Sequence, residues 1–144
     1  MTPPAASLTV PCPSCAKWNR IDASRVSAGP KCGACATPLR LDHPLHLTDA
    51  TFERVIASTT VPVLVDFYAD WCGPCRMMAP AVDELAHAAA GSALVAKVDT
   101  EAAVRTAQRF NIRNLPTVVV FRDGREVKRQ MGAMPLAALR TLLG

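Results

Sequence analysis

Aromatic residues are scarce in this chain of 144 residues, where Phe, Trp and Tyr together make up 5%. Half of the residues are hydrophobic, so we expect a buried core built mainly from Ala, Val and Leu. No stretch approaches the roughly 20 apolar residues of a membrane-spanning helix. The opening MTPPAASLTV has neither a basic start nor an apolar run of signal-peptide length. We therefore expect a soluble, cytoplasmic protein without a membrane partner.

A strong net charge is also lacking, since the formal charge is +4. Residues 1–42 carry five basic and two acidic side chains, so most of the excess lies in the first third of the chain. Trp18 is the single aromatic residue of that segment. Basic residues without an aromatic cluster are a weak indication of nucleic-acid binding. A nucleic-acid partner is therefore not expected.

The first 42 residues differ from the rest in having no long apolar run. They contain six prolines and four of the six cysteines. A segment of this size and composition buries too little apolar surface to fold unaided, so a cross-link or metal is expected to stabilise it. We assign residues 1–42 to a small ribbon-like module, residues 43–47 to a linker and residues 48–144 to the main domain.

From residue 48 onward, hydrophobic periodicity predicts elements in the order α-β-α-β-α-β-β-α. The predicted helices are 48–58, 74–90, 100–110 and 135–143, and the predicted strands are 61–69, 93–99, 117–121 and 126–131. An Asp-Gly pair between the last two strands predicts a hairpin. Two strand–helix–strand units predict that the first three strands are parallel, with the hairpin strand antiparallel at one edge. The fold class is α/β, with a sheet between helices.

Two cysteines, Cys72 and Cys75, lie in DWCGPCR, where a predicted strand meets a predicted helix. Unpaired N–H groups at a helix start favour a thiolate, which is the nucleophilic form. Pro74 suits a first helical turn, and Gly73 leaves the sulfur of Cys72 accessible. We expect Cys75 to be less exposed and to attack a mixed disulfide from within. Such a pair can also be half of a metal site, but its position here favours redox chemistry.

Asp66 and Lys97 each interrupt an apolar predicted strand. A buried carboxylate is costly unless it is paired, so Asp66 is expected either to bind a proton or to find a partner. Lys97 on a neighbouring parallel strand is one such partner. An acid of raised pKa near Cys75 could accept the proton of that thiol. A purely structural Asp66 and a surface-directed Lys97 remain alternatives.

The other four cysteines follow the pattern C-x2-C-x16-C-x2-C, which is typical of a structural zinc site. They are Cys12, Cys15, Cys32 and Cys35. Four thiolates complete a tetrahedral site, so the metal is expected to be structural, and His43 and His46 are interpreted as polar linker residues rather than ligands. Two disulfides, an iron–sulfur centre and free thiols remain alternatives. The stretches KWNRI and TPLRL are expected to form short strands of a ribbon.

Residues 47–144 resemble the thioredoxin family. The resemblance is carried by VDFYADWCGPCRMMAP, ALVAKVDT, FNIRNLPTVVVF, DGR and MGA, which follow that family's order and spacing. It implies the thioredoxin fold, a mixed central sheet flanked by helices. It also implies that Cys72 is the attacking thiol, that Cys75 is the resolving thiol, and that Asp66 is the buried proton acceptor with Lys97 beside it.

The same resemblance implies a substrate groove beside the dithiol. Its residues would be Trp71, Gly73, Pro74, Leu115, Pro116 and Gly132. Leu115–Pro116 would be a cis bond whose backbone groups pair with an extended substrate, although an ordinary strand-entry proline is the alternative reading. Tyr68 stands where the family commonly has tryptophan, and Arg76 where it commonly has lysine.

With the four-cysteine module included, the chain resembles the zinc-containing bacterial members of the family, the thioredoxin 2 group. That resemblance implies a protein disulfide reductase with one zinc ion, and we expect a monomer. Its dithiol would be restored by thioredoxin reductase, which carries the flavin and uses NADPH. A rival hypothesis makes the ribbon a docking module for nucleic acid or an acidic protein, with the second half as scaffold. A further hypothesis is that the ribbon tunes the redox half or senses oxidants by releasing zinc.

Overall fold

A five-stranded sheet forms the centre of the computed structural model, which describes residues 6–144. Its strands, in the spatial order β3-β5-β4-β6-β7, are β3 (Leu45–Leu47), β4 (Val63–Tyr68), β5 (Leu94–Asp99), β6 (Thr117–Arg122) and β7 (Arg125–Met131). The helices are α1 (Phe52–Ser58), α2 (Gly73–Ala88), α3 (Val104–Arg109) and α4 (Leu136–Leu143). Strands β3 and β4 are parallel to β5, and β6 and β7 add antiparallel pairs. The expected mixed sheet flanked by helices is confirmed.

The two faces of the sheet contact different helices because side chains alternate along each strand. Val63, Val65 and Phe67 of β4 belong to a core cluster that includes residues of α1. Leu64, between them, belongs to the cluster that contains α2 and α4 side chains. Asp66 and Tyr68 share the parity of Leu64. Both residues therefore point toward the layer that contains α2.

The direction of β6 differs from the prediction, which made the first three strands of the main domain parallel. That prediction is wrong, because β6 is antiparallel to β4, with Thr117 opposite Phe67. A parallel crossover usually contains a helix that runs back along the sheet, whereas α3 has six residues instead of the predicted eleven. The segment between β5 and β6 starts and finishes at the same end of the sheet, so the start of β6 lies beside the end of β4.

The predicted linker, residues 43–47, contains a strand. Leu45–Leu47 pairs with Ala96–Val98 of β5 and forms one edge of the main sheet. The segment is short and has two histidines, so its apolar pattern is too weak to identify as a strand from sequence. Because β3 is part of the sheet, the main domain begins before residue 48.

The N-terminal module is a two-stranded ribbon with a short helix. Strand β1 (Ser7–Pro11) pairs antiparallel with β2 (Trp18–Asp22), and a 3₁₀ helix follows at Ala23–Ala28. The predicted strand in KWNRI corresponds to β2, whereas β1 was not predicted. The predicted strand in TPLRL is reduced to one isolated bridge, between Lys31 and Pro38.

The ribbon is joined to the main domain by hydrogen bonds and by a shared core. The N–H of Thr9 donates to Oγ1 of Thr59 at 3.1 Å, and the N–H of Ser7 donates to Oγ1 of Thr60 at 2.8 Å. The buried side chains Leu8, Val10, Val55 and Ile56 belong to one apolar cluster. The ribbon therefore buries its few apolar residues against α1 rather than forming a core of its own.

The ribbon and α1 also contact each other through a cation–aromatic pair, in which the guanidinium of Arg54 lies 4.4 Å from the ring centroid of Trp18.

Among the helices within residues 6–144, none is both long enough and apolar enough to cross a membrane.

Candidate active site and metal centre

The first helical turn of α2 contains the cysteine pair. Cys72 is the N-cap residue of α2, and Cys75 is one turn further along. The two are joined in a disulfide with their Cα atoms 5.3 Å apart, so the structure represents the oxidised state. The backbone N–H of Cys75 donates to Sγ of Cys72 at 3.2 Å. A helix start thus directs its unpaired N–H groups and partial positive charge at the sulfur of Cys72.

The predicted difference in exposure between the two cysteines is absent from this oxidised form, where each is 4% exposed. They differ instead in what they face. A shallow cleft of about 400 Å³ is lined by Cys72 but not by Cys75. A methyl group built at Gly73 would meet nothing within 4 Å, so the approach to Cys72 is open on that side.

The opposite wall of this cleft is formed by the segment before β6. The cleft is lined by Trp71, Cys72, Gly73, Pro74, Thr100, Ile112, Arg113, Asn114 and Leu115. The Leu115–Pro116 peptide bond is cis. The antiparallel direction of β6 places this bond at the end of the sheet from which α2 begins.

The backbone of Leu115 is available to a ligand. Within residues 6–144, neither its N–H nor its carbonyl makes a hydrogen bond. The next carbonyl, that of Pro116, accepts from the N–H of Gly132 at 2.8 Å. Gly132 has a φ of +93°, a conformation that L side chains rarely adopt. Gly132 therefore ties the end of β7 to the cis-proline segment.

Three cleft features were not predicted from sequence. Glu101 accepts a 2.9 Å hydrogen bond from the indole N–H of Trp71, whose side chain is otherwise 67% exposed. Arg113 is the charged residue of the cleft lining, and Asn114 donates to the sulfur of Met131 at 3.2 Å. Their position in the sequence could have indicated them, because Glu101 closely follows β5 and the other two directly precede Leu115 and Pro116. These strand ends form the cleft.

Asp66 is buried without a partner. It is 1% exposed, and within the described chain neither carboxylate oxygen has a hydrogen-bond partner. Burial raises the pKa of Asp66 to about 6, while the charge of Lys97 acts in the opposite direction. Lys97 is the register partner of Asp66 on β5, but its Nζ lies 4.5 Å from the ring centroid of Tyr68. The alternative in which Asp66 pairs directly with Lys97 is not what the structure shows.

The other four cysteines form two matching turns. In the first, the N–H of Ala16 donates to the carbonyl of Cys12, and Ala16 has a φ of +64°. In the second, Ala36 donates to Cys32 in the same way, with a φ of +62°. The sulfurs of Cys12 and Cys32 each accept an N–H from the residue two positions later, at 3.4 Å. Each turn therefore reverses the chain around its own pair of sulfurs.

The four sulfur atoms fit a tetrahedral metal site. All lie within 4.8 Å of one another, and the Cys12–Cys35 and Cys15–Cys32 sulfur pairs are both 3.6 Å apart. A tetrahedron with zinc–sulfur bonds of about 2.3 Å has sulfur–sulfur edges of about 3.8 Å.

Local hydrogen bonds favour the thiolate form of two of these cysteines, Cys32 and Cys35. The N–H of Ala34, followed by that of Cys35, lowers the pKa of Cys32 to about 6. The hydroxyl of Thr37, 3.1 Å from Sγ of Cys35, lowers the pKa of that thiol. At Cys15 the backbone of Lys17 acts to lower the pKa, but burial and the three neighbouring sulfurs together raise it to about 12. Thiolates are the form that binds zinc, so the four-sulfur geometry and the donors at Cys32 and Cys35 fit the ion.

Comparison with known proteins distinguishes the two regions. Residues 43–144 match the family model described as Thioredoxin, and residues 11–37 match the zinc-ribbon model described as Thioredoxin 2, N-terminal. The chain belongs to the thioredoxin family. Its four-cysteine segment places it with the zinc-containing thioredoxin 2 group, as the sequence resemblance indicated. The thioredoxin match begins at residue 43 and therefore includes β3.

Relatives extend over one or both regions. Thioredoxin C-3 of Corynebacterium nephridii is 36% identical over 136 residues, covering 94% of this chain and 93% of the relative. Thioredoxin 1 of Synechococcus elongatus is 44% identical over 97 residues, covering 67% of this chain and 91% of the relative. The solved structure of a mutant thioredoxin from Halobacterium salinarum has a TM-score of 0.66 and 38% identity, covering 72% of this chain and 89% of that one.

Family membership and the Cys72–Cys75 disulfide together make this chain a thiol–disulfide oxidoreductase of the thioredoxin type.

Proposed function

We propose that this chain is a protein disulfide reductase that acts through Cys72 and Cys75. The thiolate of Cys72 attacks one sulfur of a substrate disulfide and displaces the other, which leaves as a thiolate and takes up a proton. The thiolate of Cys75 then attacks Cys72 in the mixed disulfide. This step releases the second substrate thiol and leaves the Cys72–Cys75 disulfide seen here. The observation that carries the proposal is that bridge at a helix start, with Cys72 facing the cleft.

Asp66 is proposed as the group that accepts the proton of Cys75. Its isolation supports this role, because a carboxylate without hydrogen bonds and with a pKa raised to about 6 by burial is a stronger base than an ordinary aspartate. Asp66 lies on the face of β4 that points toward α2. Lys97, its register partner, is proposed to moderate that basicity through its charge.

The cleft is proposed to bind the substrate's main chain beside its disulfide. The free N–H and carbonyl of Leu115 can pair with an extended peptide, as the edge of a sheet does. Trp71, Gly73 and Pro74 would contact the substrate from the side of α2, and Pro116 and Gly132 from the other. Recognition through backbone groups favours several protein substrates over one.

Reduction of insulin disulfides by dithiothreitol, followed by turbidity, tests this function. Wild-type protein should accelerate precipitation, and Cys72→Ser should reduce the rate to that of dithiothreitol alone. The matched control is Cys15→Ser, which removes one thiol from a C-x-x-C pair of the ribbon instead. This variant should retain catalysis. Equal rates for wild type and Cys72→Ser would refute the proposal and favour the rival docking function of the ribbon.

We also propose that thioredoxin reductase, an NADPH-dependent flavoprotein, restores the dithiol. This chain would then need no NADPH or flavin of its own. Mixing the oxidised protein with a bacterial thioredoxin reductase and NADPH should produce a fall in NADPH absorbance that depends on Cys72 and Cys75. No NADPH consumption by wild type would count against this partner. A cytoplasmic location and a monomeric state belong to the same proposal, and sedimentation checks the latter.

One zinc ion, bound by the four cysteines of the ribbon, is proposed as a structural element. Two matching turns present four sulfurs and leave no protein ligand position open, which suits a structural rather than a catalytic metal. We place the division between the ribbon and the thioredoxin domain after residue 42.

The second hypothesis for the same ion is that the ribbon tunes the redox half or senses oxidants by releasing zinc. Peroxide treatment that releases zinc and changes the insulin rate would support it, and no change in either would refute it.

A further inference from the structure

The ammonium group of Lys97 has two possible partners nearby, and in the structure it contacts one of them. Asp66 and Tyr68 are two residues apart on β4, so their side chains point to the same face. Lys97 pairs with Asp66 in the parallel register of β5 and shares that face. An ammonium group there can bind the carboxylate of Asp66 or the ring face of Tyr68. The observed place is the ring, with Nζ 4.5 Å from its centroid.

The carboxylate is correspondingly unpaired. Within residues 6–144, no cation lies within 4.0 Å of Asp66 and no donor reaches either oxygen. A buried charged group almost always has a partner, so this isolation calls for a cause. The ring of Tyr68 is one, because an aromatic face attracts a cation without neutralising it. Tyr68 is itself fixed by packing in a cluster with Ala69, Cys72 and Cys75.

We propose that Tyr68 is a positioning residue whose ring holds the ammonium of Lys97 off Asp66 and so leaves that carboxylate free to accept a proton. The inference rests on the proposed role of Asp66 as the proton acceptor for Cys75. Tyr68 acts through Lys97 and contacts no reacting atom of the substrate. Without the ring, the ammonium would move to the carboxylate, form an ion pair and make Asp66 a weaker base.

Other titratable groups lie near Asp66, Tyr68 and Lys97, and these neighbouring residues are kept in every variant of the test. His46 of β3 is the register partner of Lys97 on its other side, and burial followed by the charge of Lys97 lowers the pKa of His46. Helix α2 contributes the disulfide-bonded Cys75 and, further along, Asp83, whose charge acts on His46. Asp99 and Asp70 act, after burial, to raise the pKa of Tyr68. Strand β6 contributes the uncharged Val118 opposite Asp66.

The test is the pKa of Asp66 in oxidised protein, measured by NMR titration of ¹³C-labelled aspartate carboxyls. Tyr68→Leu should lower this pKa by about 1 or more, because an opposite charge brought to contact distance has an effect of that size. Tyr68→Phe keeps the ring and should leave the pKa at its wild-type value. An unchanged or raised pKa in Tyr68→Leu would overturn the proposal.

A Lys97→Gln background isolates the route of the effect. If Tyr68 acts through Lys97, Tyr68→Leu should no longer lower the pKa of Asp66 when Lys97 is absent. A fall that persists in this background would overturn the proposal by showing that the ring acts directly.

A measurement on wild-type protein covers the case in which Tyr68→Leu does not fold. The ε-methylene protons of Lys97 should be shifted upfield by the ring current, relative to those of Lys17, Lys31 and Lys128. Lys97 shifts that match the other three lysines would refute the contact.

The result of this test can be separated from that of the proposed function. An unchanged insulin rate in Asp66→Asn would refute the role of Asp66 in catalysis and leave the pKa result standing.

Discussion

The three C-x-x-C pairs of this protein share one spacing and have two structural fates. At 12/15 and 32/35, an alanine in left-handed conformation follows the second cysteine and turns the chain back. At 72/75, the helix continues from Gly73 to Ala88. In all three pairs the sulfur of the first cysteine accepts a backbone N–H. The backbone after the pair therefore differs between the two pairs that form the four-sulfur cluster and the one pair that forms a disulfide.

The two regions also differ in how they are stabilised. The main domain has a buried cluster on each face of a five-stranded sheet. The ribbon has two strands, and its apolar side chains pack against α1. The proposed zinc ion would supply the stability that a separate core does not. The following experiments test this contrast, from the largest expected effect to the smallest.

Loss of one ribbon cysteine should have the largest effect on structure. Cys32→Ser should lose zinc, because a structural zinc site of this type contributes roughly 10–16 kcal/mol of binding free energy to its fold. Residues 6–42 should then become sensitive to limited proteolysis, while residues 43–144 resist it. The matched variant is Cys75→Ser, which should retain one zinc per chain by metal analysis. Zinc retained in full by Cys32→Ser would show that the ribbon turns do not bind it.

The isolated acid of the redox region should make Asp66→Asn more stable than wild type. The folded pKa, about 6, is above the unfolded value of about 3.9. The folded state therefore binds more protons between these values, and its stability falls as the pH rises through them. At pH 7 the gain of Asp66→Asn should be about 3 kcal/mol, and it should vanish as the pH falls toward 4.

Urea unfolding at both pH values measures the effect of Asp66→Asn. A variant that is no more stable at pH 7 would show that Asp66 is better solvated than the structure indicates.

Removal of a contact between the two regions should have a moderate effect. Thr59→Val leaves the buried N–H of Thr9 without its acceptor, which should cost about 1–3 kcal/mol. The control is Thr141→Val on the exposed side of α4, expected to change stability by about 0.5 kcal/mol or less. Thermal unfolding followed by circular dichroism compares the two. Equal midpoints for both variants would mean that the ribbon contributes nothing to the main domain.

The smallest effect concerns the backbone that distinguishes the pairs. Ala36→Gly should stabilise the ribbon by about 0.5–1 kcal/mol, because glycine adopts the left-handed conformation without the alanine penalty. Arg76→Gly, at the corresponding position after Cys75, should destabilise by about 1 kcal/mol because it lies inside α2. Zinc release to a chromogenic chelator measures the first variant and urea unfolding the second. Effects of the same sign would contradict the backbone comparison.

Much of this protein was predictable because its signals are local. The four helices and four later strands follow from apolar periodicity, and each site follows from cysteine spacing and its flanking residues. The predicted position of Asp66, in the apolar run VLVDFY, was enough to identify it as a buried acid. In contrast, β1 has the short sequence SLTVP, which ends in a proline and contains only two large apolar residues. Nothing local distinguishes it from a loop.

The cleft was harder to predict because its walls are distant in sequence. Leu115 lies across the cleft from Cys72 because β6 runs antiparallel to β4, and the direction of a strand cannot be recognised from the strand's own residues. Glu101 and Arg113 were missed for the same reason.

By itself, the sequence determined which residues are reactive: six cysteines in two kinds of local context, an acid within a buried strand and a proline before another. Only the tertiary structure decided what each of them faces. Asp66 is left unpaired while Lys97 lies over Tyr68, and the ribbon is buried against α1. The physical reason is that a residue's chemistry is its own, whereas its charge partners and its solvent exposure come from strands and helices that the chain brings together from far apart.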